Sequence, residues 1–195
     1  MKTDYKKQFE EIYNANVKRE GAEELLKYLN STDFFKAPAS TRFHSNFAGG
    51  LCEHSVKVFM RFREMCETEY GAEWIEKNIE TLSIIALLHD ICKVGCYKPD
   101  FRNVKVNGEW VQKPYFSFED PLPYGHGEKS VYVISGFIKL TREEAMAINW
   151  HMGAFDARNL DGHFPVSNAF TMFPLCVLFA AADMMTSYLD EKVMK

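Results

Sequence analysis

The chain has 195 residues, 47% of them hydrophobic and 26% charged, with a formal net charge of −4. That length and balance predict one ordinary globular domain with a sizeable core. The acidic excess argues against a general nucleic-acid-binding surface. Residues 1–5 lead into no apolar block of the signal-peptide kind, and the longest apolar run, 173–182, is too short for a membrane span. Five cysteines without a CxxC pair fit reduced thiols in a cytoplasmic protein better than a disulfide framework.

Residues 4–19 set Tyr5, Phe9, Ile12 and Tyr13 on one side of an amphipathic helix, which Gly21 stops. A second short helix is expected over 23–29, closed by Asn30-Ser31. A loop carrying Pro38, Ser40, Thr41, Arg42, Phe43 and His44 then leads to Gly49-Gly50, which opens a long helix to about residue 70. There Leu51, His54, Val58, Phe62 and Met65 recur at spacings of 3 and 4, so His54 lies on the apolar stripe. Alone, such a histidine is most simply a hydrogen-bonded core residue.

The same spacing carries Trp74, Ile75, Ile79, Leu82 and Ala86 to His89, near the end of a further helix. Its last apolar run, 84–88, ends in the pair His89-Asp90, and an imidazole beside a carboxylate is costly to bury unless a partner satisfies both. A divalent metal ion is such a partner. Gly95 is the expected stop. Alternation around Asn107-Gly108 predicts a β-hairpin over 101–118 with a type I′ turn. After Pro121 and Pro123 a helix is expected from near His126 through Val131, Ile134 and Ile138.

Thr141-Arg142-Glu143-Glu144 reads as a capping box opening a helix over 143–152, with Ala145, Ile148 and His151 on one face and Gly153 as its stop. Residues 154–169, with Asp156, Arg158, Asp161 and His163, read as a loop. The last helix, about 174–189, is apolar almost all round as far as Ala182 and so is expected to be buried, which leaves Asp183 in need of a cation or hydrogen bonds.

Four inward histidines (His54, His89, His126, His151) and two acids (Asp90, Asp183) thus fall on five successive helices, which packing alone does not explain. Their order resembles the HD-domain superfamily of metal-dependent phosphohydrolases. The local words agree: Gly49-Gly50-Leu51-Cys52-Glu53-His54-Ser55, Leu87-Leu88-His89-Asp90-Ile91-Cys92-Lys93 and Ala181-Ala182-Asp183. The likeness covers roughly residues 40–190 and is closest to the HD branch of bacterial 3′–5′ exoribonucleases. The OB domain of those enzymes has no counterpart in this sequence, so their exonuclease activity is not carried over.

The resemblance implies a mostly all-α HD-domain helical bundle with a small inserted β-hairpin; residues 1–195 are expected to form a single domain, with the first forty, outside the resemblance, packed on it. It implies one metal held by His54, His89, Asp90 and Asp183, and a second held by His126 and His151 with Asp90 bridging. The ions would be Mn, Fe, Co, Ni or Zn, one or two of them. Lys93 would stabilise phosphate charge, and His44 and Arg42 would touch substrate at the mouth; Lys129 and His163 are weaker candidates. Cysteine at position 92 departs from the glycine common in the family, a difference expected to affect local packing only, and Cys92 and Cys96 are left outside the site.

The function so implied is hydrolysis of a phosphate ester of a small molecule, a nucleotide or phosphodiester, by a metal-activated water. Two other readings share the ligands: a di-iron oxygenase of the same fold, and a non-catalytic nucleotide-binding module.

Overall fold

The computed structural model describes residues 3–41, 45–156 and 165–191. Arg42, His44, Arg158, Asp161 and His163 lie outside the described residues. Among those described, eight α-helices and one two-stranded antiparallel sheet follow in the order α1 (Tyr5–Asn16), α2 (Ala22–Ser31), α3 (Gly50–Tyr70), α4 (Ala72–Leu88), β1 (Tyr97–Val106), β2 (Glu109–Phe118), α5 (His126–Ser135), α6 (Arg142–Asn149), α7 (Pro165–Met172) and α8 (Pro174–Met185). The fold is therefore mostly all-α, as the periodicity predicts.

α3 and α4 form the central antiparallel pair, joined through Gly71, whose φ of 85° reverses the chain in one residue. Of the stripe expected on α3, Leu51, His54, Val58 and Phe62 are buried and Met65 is partly buried, and Ile84, Ile85, Ala86, Leu87 and Leu88 of α4 are all fully buried. With Phe62 and Phe179 packed edge to face at 5.0 Å, these side chains are the apolar floor beneath the site. Replacing any one of the large residues by alanine would cost about 2–5 kcal/mol.

The N-terminal helices are fastened to this core by one ion-pair cluster. Arg19 Nη1 and Nη2 donate to Glu144 Oε2 and Oε1 at 2.8 and 3.0 Å, and Nη2 also reaches Glu80 Oε2 at 3.3 Å. Glu144 is fully buried and also closes the capping box of α6, accepting from Thr141 N at 2.8 Å while its own N–H donates to Thr141 Oγ1 at 3.2 Å. The capping box is the one expected from the sequence.

The hairpin runs over 97–118, longer at its first strand than the expected 101–118, with Val106 paired to Glu109 and Tyr97 to Phe118. Its turn has φ of 51° at Asn107 and 92° at Gly108, as a type I′ turn requires. Only its base touches the domain: Tyr97 packs against the core, whereas Trp110 at the far end is 71% exposed.

Three expectations need correction. The stretch 154–169 is not all loop, because α7 starts at Pro165, a residue preorganised for the first helical position, and sets Val166, Ala169 and Phe170 at helical spacing. The helix expected to reach 152 ends at Asn149, and a turn follows in which the expected stop, Gly153, with φ of 54°, donates to the Trp150 carbonyl at 2.9 Å. The last α-helix stops at Met185 and continues as a five-residue π-helical turn, Thr186–Asp190.

Candidate metal centre

Each of the six expected donors arrives on a different local device. His54 sits in the second turn of α3 and His126 is the first residue of α5. His89 caps α4, and Asp90 follows with φ of −102° and ψ of 14°, which swings its carboxylate under the helix end. His151 lies just past α6, and Asp183 is in the last turn of α8. The four imidazoles form a row, with centroid separations of 5.3 Å from His54 to His89, 4.9 Å from His89 to His151 and 5.0 Å from His151 to His126.

Asp90 is the point on which they converge. His126 Nε2 is 2.9 Å from Asp90 Oδ1 and His151 Nε2 is 3.7 Å from the same oxygen. His89 Nε2 and His54 Nε2 are 3.5 and 3.8 Å from Oδ2. Asp183 Oδ1 meets His54 Nε2 at 3.1 Å, and Lys93 Nζ donates to Asp90 Oδ2 at 2.6 Å.

The other ring nitrogen of three histidines is already taken. His89 Nδ1 donates to the Ala86 carbonyl at 2.9 Å and His151 Nδ1 to the Ile148 carbonyl at 2.6 Å. His54 Nδ1 donates to Glu191 Oε2 at 3.1 Å. For His89 and His151 the carbonyl acceptor fixes the proton on Nδ1 and leaves the Nε2 lone pair on the Asp90 side, the arrangement that metal-binding histidines need, whereas His54 Nε2 faces Asp183. Glu191 was not a candidate from the sequence. The π-helical turn after α8 brings it back under α3, where its side chain is 1% exposed.

The charges inside the cluster are strongly coupled. Burial alone would raise the Asp90 carboxyl, but Lys93 first, then His89 and His126, hold it well below the usual carboxylate range. Burial pulls His54 down, yet its bonds to Asp183 and Glu191 carry it up to about 9. His126 is likewise raised, to about 10, by Cys92 and Asp90 against the effect of burial. His151 falls to about 3, through burial and the neighbouring His89 and His126. Lys93 stays charged, since Asp90 outweighs its burial.

A metal ion fits these residues. Among the described residues the buried His89 Nε2 has no hydrogen-bond partner, although it faces a carboxylate and two further imidazoles. Such an orphan costs about 1–3 kcal/mol unless something binds it. Three sets of donors lie within 4.8 Å of one another: His54, His89 and Asp90; His89, His151 and Asp183; and Asp90, Cys92 and His126. Neutral imidazole with carboxylate is a donor chemistry suited to divalent transition metals.

The centre opens into a cavity of about 400 Å³ whose lining includes Lys93, His126, Lys129, Tyr97, Thr41 and Phe118. Lys129, a weaker candidate from the sequence, is buried there between Asp120 and Cys96. Tyr97 and Phe118 bring the base of the hairpin to the mouth.

A family model described as the HD domain matches residues 51–183. The chain belongs to the HD domain family. All six expected donors fall in the matched HD stretch, whereas Arg19 and Glu191 lie on either side of it. The chain is also similar to the dihydroneopterin 2′,3′-cyclic phosphate phosphodiesterase of Methanocaldococcus jannaschii, with 38% identity over 61 residues, which is 30% of this chain and 23% of that protein. The match thus spans about a quarter of the curated relative. No solved structure matches the chain.

Proposed function

We propose that this HD domain, taken as one unit over residues 1–195, is a metal-dependent phosphohydrolase cleaving a phosphate ester of a small molecule, a nucleotide or a phosphodiester. The observation that carries the reading is the convergence of four imidazole Nε2 atoms on the Asp90 carboxylate, with Lys93 Nζ bonded to its Oδ2. His54, His89, Asp90 and Asp183 would hold one ion, and His126 and His151 a second, with Asp90 shared. Mn, Fe, Co, Ni and Zn all suit these donors. When bound, such ions lower the pKa of a coordinated water and neutralise charge on phosphoryl oxygens.

The chain's own residues supply the rest. Lys93, held charged beside Asp90, presents a fixed cation where a phosphate would enter, and it is worth most in a site that excludes water. Glu191 and the two backbone carbonyls keep three imidazoles in one orientation, so no reorganisation is needed as the substrate arrives. A cavity of about 400 Å³ lies in the range for small-molecule sites.

Among the described residues no single helix is long and apolar enough to cross a membrane, and the five cysteines are free. Both agree with the cytoplasmic setting we propose.

The test couples metal analysis of the purified protein to a panel of phosphomonoesters and phosphodiesters. The likeness to a dihydroneopterin 2′,3′-cyclic phosphate phosphodiesterase is a reason to begin that panel with 2′,3′-cyclic phosphodiesters. Turnover that depends on metal and disappears in Asp90→Ala supports the proposal. Metal-loaded protein inert across the panel overturns it; oxygen uptake with iron then indicates an oxygenase, and nucleotide binding without turnover a binding module.

A further inference from the structure

Cys92 follows Asp90 by two residues, in the short 3₁₀ turn Ile91–Lys93, and it does more than fill space. Its sulfur lies 3.3 Å from Nδ1 and 3.9 Å from Nε2 of His126. A sulfur so near both nitrogens cannot lie along the N–H direction of either. The contact therefore differs from the Nδ1 hydrogen bonds of the other three imidazoles, which run to oxygen acceptors. The sulfur stands beside the ring, on the side of the cavity.

Its position is set by the backbone. Cys92 N donates to Ser130 Oγ at 3.3 Å, and the same hydroxyl donates to the His89 carbonyl. Ser130 thus ties the turn that carries the sulfur to α5, the helix that begins with His126. Donor atoms of Asp90, Cys92 and His126 lie within 4.8 Å of one another, as close as the two sets built only of histidine and aspartate. An ion bonded to nitrogen, oxygen and sulfur at about 2.0–2.3 Å spaces its donors roughly 3–4 Å apart. His126 Nε2 already meets Asp90 Oδ1 at 2.9 Å and Cys92 Sγ at 3.9 Å.

We propose that Cys92 binds, as a thiolate, the ion held by Asp90 and His126. The thiol proton passes to bulk water as the sulfur–metal bond forms, with no change in oxidation state. A thiolate makes this position softer than the His-and-Asp position beside it, so it favours zinc or ferrous iron over manganese. The inference rests on the metal-centre reading above.

Cobalt(II) titration of the full chain separates the two. Binding with visible ligand-field bands and a near-ultraviolet thiolate-to-cobalt band is expected. Cys92→Ser and Cys92→Ala should each lose the near-ultraviolet band, keep visible bands from the remaining donors, and weaken the second equivalent by at least about tenfold. Visible bands without the near-ultraviolet one overturn the role of Cys92 and leave the metal centre standing; no bands at all overturn the metal centre itself. A near-ultraviolet band that survives in both variants assigns the sulfur elsewhere and also overturns the role of Cys92. X-ray absorption of the zinc-loaded natural chain needs no variant: a sulfur neighbour at about 2.3 Å is expected, and a shell of nitrogen and oxygen alone refutes it.

Discussion

Gly127 rests against the backbone of Asn149, so close that a β-carbon at Gly127 would stand 2.2 Å from the Asn149 carbonyl oxygen. This contact brings the start of α5 onto the end of α6, and with it His126 onto His151 at a centroid separation of 5.0 Å. Neither backbone can yield as a flexible side chain would. Gly127→Ala should therefore destabilise the fold by about 1–3 kcal/mol and weaken metal binding by more than the stability loss explains. Urea denaturation with parallel metal titration checks both parts.

Asp90 lies within 4 Å of Nε2 of all four imidazoles, at distances of 2.9 to 3.8 Å. If it is shared between two ions, Asp90→Asn should reduce occupancy of both together, not of one. Outer-shell changes already cost about 10–100-fold in such sites, so turnover should fall by at least about a hundredfold. Metal stoichiometry by mass spectrometry is decisive: a variant that keeps one full equivalent rules out the bridging role.

Glu191 reaches the six donors through His54, so its loss should leave the set of direct donors intact. Glu191→Gln keeps the shape but removes the charge facing His54 Nδ1 across 3.1 Å. A drop in metal affinity of about 10–100-fold is expected, with turnover recovered at saturating metal. A loss of turnover that added metal does not restore would place Glu191 in the chemistry itself.

Arg19, Glu80 and Glu144 give a prediction about stability alone. Removing one partner of the buried pair, in Arg19→Ala or Glu144→Gln, should cost about 3–5 kcal/mol, because the other is left without its counter-ion or its full complement of bonds. Burial pushes the Glu80 carboxyl up, but the backbone N–H of Lys18 and then the Arg19 guanidinium bring it below its usual value. A depressed carboxyl stabilises the fold above its unfolded pKa, and that contribution is lost as the pH falls through the folded value. Chemical denaturation should show the natural chain weakening over that acidic interval more than Glu80→Gln, which has no proton to take up there.

What could be read from the sequence was whatever repeats at helical spacing. The stripe through Leu51, His54, Val58 and Phe62, and the one through Ile79, Leu82, Ala86 and His89, put both histidines inside before any fold was known. Asn107-Gly108 announced its own turn. The features that escaped depend on contacts without a local period. Arg19 and Glu144 meet across 125 positions of chain. Glu191 reaches His54 only because a π-helical turn redirects the end of α8. Cys92 was set aside as packing, since nothing along the chain tells that α5 returns His126 to its sulfur. α7 was legible in part, from Pro165 ahead of Val166, Ala169 and Phe170, and was passed over among polar loop residues.

The Arg19 clamp and the Glu191 brace stand on opposite sides of the stretch matched by the family, residues 51–183. A fragment trimmed to those limits would keep all six donors yet strip Glu144 of its guanidinium and His54 of the Glu191 carboxylate on Nδ1. It should then collapse loosely around an unfinished cluster, and added zinc should rescue it poorly. On the proposed reading the smallest autonomous unit is wider than the matched stretch, because His54 and Glu144 take partners from outside it.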